Sequence, residues 1–250
     1  AGKSFIGPKA TEIGNVGADM ERKTAATFVW AEAIQKTVIE LARAAKLGRN
    51  LDATLLDALN MKKNVDLQNQ VYTGDVLQGI KGLVNSTLIT ATDVALNAGA
   101  TSRLWLNKTD DEILQDLNTL LTATWAQTGY TSMPRRLGLP PAKFAYLVSR
   151  KIVNGSMSIA KYLAENSIAM TTNGVPLELV PMRELAGAGV GATDRMIAYT
   201  KRRDYQRLPL SSMQSTPMQY KDLYQRVVYY CRVGTVEIVK PETLRYADGF

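Results

Sequence analysis

Histidine is absent from the 250 residues, and cysteine occurs once, at Cys231. The first absence removes Ser-His-Asp and Cys-His nucleophile pairs, histidine-ligated zinc and histidine general bases together. The second excludes an intrachain disulfide framework and any cysteine-cluster metal site, and a lone thiol fits a reducing compartment. No apolar run reaches the ~18 residues that a membrane helix needs. Ala1-Gly2-Lys3-Ser4 is followed by no apolar core, so the start does not read as a secretory signal. No GxxxxGK[ST] occurs, which gives a P-loop ATPase no support. Acidic residues are the scarcer charge, 23 against 30 basic, for a net +7. More than half of that excess falls in residues 201–250. A dedicated DNA-binding domain carries a denser basic stripe, so contact with a polyanion is allowed but not required.

What is present fits a folded chain. Hydrophobic residues are 46% and charged residues 21%, close to the globular average. The length suits one large domain or two intertwined small ones, burying roughly 70% of the unfolded chain's surface. Residues 1–20 are rich in glycine and small polar residues and read as an extended arm or loop. Thr27–Trp30 is a β-type run. Lys36–Leu47 has helical spacing at Val38, Leu41, Ala42 and Ala45, and Gly48 stops it. Asn50 then caps a helix of about twenty residues, running to about Val71, with Asp52 in its first turn. Its stripe is Leu51, Leu55, Ala58 and Leu59, and its far half is largely polar. That pattern predicts a helix lying across a surface. Three glycines in Tyr72–Asn85 predict a loop with tight turns.

Asp110-Asp111-Glu112 opens another helix, with a stripe at Ile113, Leu114, Leu117, Leu120 and Leu121. Pro134, Pro140 and Pro141 break the chain after it. Phe144–Val148 reads as a buried strand, Ser158–Leu163 as a short helix, and Leu177–Val180 and Met196–Tyr199 as strands. Tyr224–Val233 and Thr235–Val239 close the chain as strands, ended by Pro241. Helices come early, mixed strands later, and nothing alternates as βαβα, so the class is α+β. No polar linker separates independent domains.

Few residue groups invite chemistry. Gly187, Gly189 and Gly191 form a GxGxG, but a dinucleotide site needs a preceding strand and a following helix, and Asp194-Arg195 leads into a strand-like run. Asp110, Asp111 and Glu112 could hold a divalent cation, yet acids at a helix N-terminus need no ion. Asp52, Asp57 and Asp66 share a helix without pairing as an acid/base couple. Lys201-Arg202-Arg203 with Arg207, and Tyr205 among them, is the densest basic run. Its two readings are phosphate contact and a solvated or intersubunit salt-bridge face. Cys231 reads as a core residue, and Met213 and Met218 as gap-fillers or contact surface. No catalytic constellation, cofactor site or metal site emerges, so the residues point away from an enzyme.

The order of elements resembles the major capsid proteins of tailed bacteriophages, whose Hong-Kong-97-like fold is shared with encapsulin shells. Leu47-Gly48-Arg49-Asn50-Leu51-Asp52 and the helix after it are similar to the entrance of that family's spine helix. Tyr72–Asn85 (YTGDVLQGIKGLVN) resembles the glycine loop after the spine, and Asp110–Leu121 the second peripheral helix. Leu137–Arg150 (LGLPPAKFAYLVSR) resembles the strand leading into the axial domain, and Asn173–Met182 (NGVPLELVPM) the strand before a glycine-rich loop. Tyr224–Phe250 resembles the returning strands, with Pro241, Tyr246, Asp248 and Gly249 as its closing pattern.

The resemblance covers about residues 25–250. Family members usually carry a longer arm and an extended two-stranded loop before the spine, whereas only about 30 residues precede the helices here, so the resemblance does not extend to arm-mediated contacts. It implies an extended arm or a remnant of the extended loop over 1–35, a peripheral domain over 36–135 with the spine at about 51–71, an axial domain over 136–223, and strands returning to the peripheral domain over 224–250. It further implies a virion shell subunit assembled in the host cytoplasm. Its expected partners are other copies in hexamers and pentamers, decoration and portal proteins, and packaged double-stranded DNA touched without sequence reading. No membrane partner is implied. The rivals are an encapsulin-like compartment, another virion component, and an enzyme using Asp, Lys, Arg or Tyr.

Overall fold

The computed structural model describes residues 26–75, 77–152 and 157–250. The arm expected over 1–20 lies outside the described residues. Two sheets dominate. Strand β1 (Thr27–Thr37) leads through helix α1 (Val38–Lys46) into α2 (Leu51–Tyr72), and β2 (Thr90–Asp93) follows. Next come α3 (Asp110–Gln127), β3 (Arg136–Leu139), α4 (Pro141–Ser149), α5 (Ile159–Asn166), α6 (Ile168–Asn173) and β4 (Glu178–Pro181). The remainder is strand: β5 (Arg195–Tyr199), β6 (Gln206–Arg207), β7 (Gln214–Ser215), β8 (Gln219–Lys221), β9 (Tyr224–Gly234), β10 (Glu237–Ile238) and β11 (Arg245–Asp248).

The helix starts follow local chemistry. Thr37 and Glu40 form a reciprocal capping box at α1, Thr109 and Glu112 another at α3, and Asn50 accepts from the Ala53 N–H at α2. Helix α1 begins two residues later than expected, because Lys36 and Thr37 are still in the β1–β9 ladder opposite Gln225 and Tyr224. Phe144–Val148, expected as a strand, is helix within α4. Pro141 sits in the first turn, where its missing N–H costs nothing, and an apolar run of five residues has no period that separates the two forms. Of Thr235–Val239 only Glu237 and Ile238 pair, with β6.

The larger sheet has five strands in the order β2-β11-β5-β3-β4, mixing parallel and antiparallel pairs. Its centre is β5, buried along its whole length. Period-two alternation sends Met196 and Ala198 into one core and Ile197 and Tyr199 into another. The first core holds Trp105, the α3 stripe Ile113, Leu117, Leu120 and Leu121, and residues of α4–α6. The second holds Leu83, Val84, Leu185, Leu244 and Tyr246. Each fully buried large apolar side chain contributes about 1.5–3 kcal/mol relative to exposure, so these two layers carry the stability.

The smaller sheet pairs β1 with β9 antiparallel over eleven residues, from Thr27↔Gly234 to Thr37↔Tyr224, with β7 and β8 on the far side of β9. Its even-numbered β1 face meets α2: the Trp30 indole donates to Asp66 at 2.9 Å, and Lys36 pairs with Asp52. Both sheets draw on distant segments, so the linear divisions expected at 35, 135 and 223 each cut through one. Position 35 falls inside β1, 135 separates β2 from β3, and 223 separates β8 from β9.

Candidate functional site

The four cations singled out in sequence line one open groove. Lys201, Arg202, Arg203 and Arg207 share a cavity of about 770 Å³ with Thr27, the Leu208–Ser211 segment, Arg232 and Glu237. The segment is held against β9 by backbone bonds: Gly234 N–H to Pro209 O at 2.8 Å and Ser211 N–H to Arg232 O at 2.9 Å. Tyr205 anchors the turn. It is buried, its hydroxyl donates to Ser132 Oγ at 3.2 Å, and the Arg202 and Lys240 cations lie over its ring at 4.9 and 5.5 Å. Two cations have internal partners. Arg202 meets Asp204 at 3.1 Å, and Arg207 meets its cross-strand partner Glu237 at 2.5 Å. Lys201, Arg203 and Arg232 form no ion pair among the described residues and are exposed. Arg232 escaped the sequence reading because it stands alone in an apolar run, and only β9 pairing brings it to the others.

The other candidates are placed differently. Gly187–Gly191 packs against its own carboxylates: the Gly187 N–H donates to Asp194 and the Val190 N–H to Asp248. Strand β5, not a helix, follows, so the loop lacks the geometry of a dinucleotide site. Asp110, Asp111 and Glu112 stand in the first turn of α3, where Glu112 serves the capping box and Asp110 pairs with Arg150. Among the described residues no three carboxylate or cysteine side chains converge as a metal site would require. Cys231 is buried opposite Trp30. Met218 is exposed. No described helix is long and apolar enough to cross a membrane.

Two buried ion pairs were invisible in sequence. Lys108 Nζ meets Asp116 at 2.5 Å with both side chains almost fully enclosed, and the Trp105 indole also donates to Asp116. Burial pushes the Asp116 carboxyl above the usual range, and Lys108 and Trp105 pull it back. Arg195 grips Asp248 with two bonds of 2.7 Å, donates to Val84 O and stacks on Tyr246. The Arg195 contacts tie β5, β11 and the loop after α2 together, and the Lys108 pair fixes the segment before α3 to that helix.

Much apolar surface stays uncovered elsewhere. Helix α1 buries no residue and leaves Val38 and Ile39 about half exposed. Helix α2 runs 22 residues and buries only Leu59, with Met61 and Val65 open. On β1, Val29 is 65% exposed.

Comparison with solved structures identifies the architecture. The capsid of Myoviridae phage XM1 superposes with a TM-score of 0.71 at 20% identity, covering 90% of this chain and 74% of that one. The capsid of the empty GTA particle gives 0.62 at 11%, over 99% and 80%. The virus-like particle of Pyrococcus furiosus gives 0.56 at 13%, over 91% and 78%. No curated protein matches. The fold is that of a Hong-Kong-97-like capsid subunit, the α+β class expected. The major capsid protein family model matches residues 2–250, and the chain belongs to that family. It is a capsid shell subunit, and its family and structural relatives are structural proteins of the capsid.

Proposed function

We propose that copies of this chain assemble as hexamers and pentamers into an icosahedral bacteriophage shell enclosing double-stranded DNA, put together in the host cytoplasm. In this reading α2 is the spine, the four-stranded sheet with it is the peripheral part, and the five-stranded sheet is the axial part. Portal and decoration proteins join the shell. The observation that carries the reading is α2, a 22-residue helix burying a single residue. A helix this long gains its stability in proteins mainly from packing, so its open face suits neighbouring copies.

Negative-stain microscopy of the purified protein tests the reading: shells, rings or sheets are expected, and a clean monomer at high concentration in every salt overturns it. A cargo-carrying compartment of the same fold is the second reading, since the fold is also similar to a virus-like particle of Pyrococcus furiosus. Nucleic acid inside purified particles decides between the two.

A further inference from the structure

We propose that the groove between the Leu208–Ser211 segment and β9 is a phosphate-backbone site for duplex DNA, with Lys201, Arg203 and Arg232 as its contact residues. The inference rests on the reading that this shell encloses DNA, and it assigns that contact to particular side chains. Three observations carry it. Five cations against one carboxylate, Glu237, line a single concave surface, and concave walls of one sign concentrate the field on an incoming anion. Arg202 and Arg207 are held by Asp204 and Glu237 and fix the shape of the groove, whereas the other three cations have no ion pair among the described residues. They come from two segments far apart in sequence, so their convergence is a product of the fold.

A second copy of the chain is a poorer occupant. Most described carboxylates are committed to ion pairs or helix caps. Those in neither, Asp57, Asp75, Asp111, Asp222 and Glu242, stand on separate elements. Residues 1–25 carry four basic and three acidic side chains. Docking any of these segments into the groove would bring at most scattered negative charge to a cluster of positive charge. A phosphodiester backbone supplies regularly repeated charge, and guanidinium forks match phosphate oxygens in geometry. Contacts to phosphate oxygens carry no sequence information, so binding through this groove is expected to be independent of sequence.

The test is fluorescence anisotropy with two 20-base-pair duplexes of unrelated sequence, titrated with salt, alongside electron microscopy of the same preparations. Equal affinity for both duplexes is expected. Changing Lys201, Arg203 and Arg232 together to Ala should lower the slope of log K against log salt by about 2.7, three contacts at about 0.9 each. Changing Lys46, Arg49 and Lys81 to Ala removes the same charge elsewhere and should change the slope far less. The conservative pair Arg203→Lys and Arg232→Lys should keep the slope, and urea midpoints confirm that each variant folds. An unchanged slope in the triple Ala variant overturns the proposal. So does loss of assembly with DNA binding intact, which would make the groove a contact between copies. Particles empty of nucleic acid would overturn the broader reading while leaving the anisotropy result to stand on its own.

Discussion

Lys108 and Asp116 show how much one buried pair can decide. Desolvating two charges is costly, and removing one partner strands the other. Lys108→Ala should therefore destabilise the subunit by roughly 3–5 kcal/mol at neutral pH, read by urea unfolding. The loss should shrink near pH 4. With Lys108 gone, one of the interactions that pulls the Asp116 carboxyl down is lost and it titrates further above its unfolded value, so the folded state is favoured below the unfolded pKa and penalised as pH rises through the folded one. The opposite sign applies to Asp66. The Trp30 indole N–H holds its carboxyl below the ordinary value, so that contribution is present above the unfolded pKa and lost as pH falls through the folded one. Trp30→Phe should move the Asp66 pKa back up, measurable by carboxyl NMR titration. The capping boxes at Thr37 and Thr109 are local, a threonine three residues before a glutamate, and so leave a signature in the sequence that the helix reading from Lys36 passed over. The two buried pairs leave none, since their partners meet only after the sheet and α3 have packed.

At the scale of elements, the glycine loop after α2 is set by backbone proximity. Gly82 lies so close to the end of α2 that an added Cβ would fall 2.2 Å from the Tyr72 carbonyl oxygen. Gly74 adopts φ +75 and would meet the Ile80 carbonyl at 2.4 Å. Gly82→Ala should cost at least the 1–3 kcal/mol typical of overpacking and lower the thermal midpoint, because backbone cannot yield as a flexible side chain can. The uncovered helix face makes the contrasting prediction. Met61→Glu with Val65→Glu should change subunit stability by under about 1 kcal/mol in total, as surface substitutions do, while sharply reducing particle yield in microscopy. The two measurements together separate folding from association. The polar far half of α2 already signalled this surface role, whereas Phe144–Val148 misled because the first-turn proline outweighed the strand-like composition.

For the whole molecule, association and stability are linked. If copies bind one another only when folded, the apparent thermal midpoint rises with protein concentration. Scanning calorimetry across a hundredfold range should show that rise for the wild-type chain and a much smaller one for the Met61 and Val65 double variant. The +7 charge works against close packing of copies at low ionic strength. Assembly should therefore improve with moderate salt, the opposite of what salt does to DNA binding in the groove, and light scattering distinguishes the two trends.

Composition and periodicity alone determined that this chain has no histidine to serve as a base or metal ligand, that it folds as α+β, and where α2, α3, β5 and β9 lie. Those features are local or additive, so each residue contributes without knowing its distant neighbours. Tertiary structure alone decided that β2 and β11 lie side by side, that Lys108 and Asp116 are enclosed together, and that Arg232 joins Lys201 and Arg203. Strand pairing between remote segments has no local signature, and a charge acquires its partner and its solvation only when the fold closes around it.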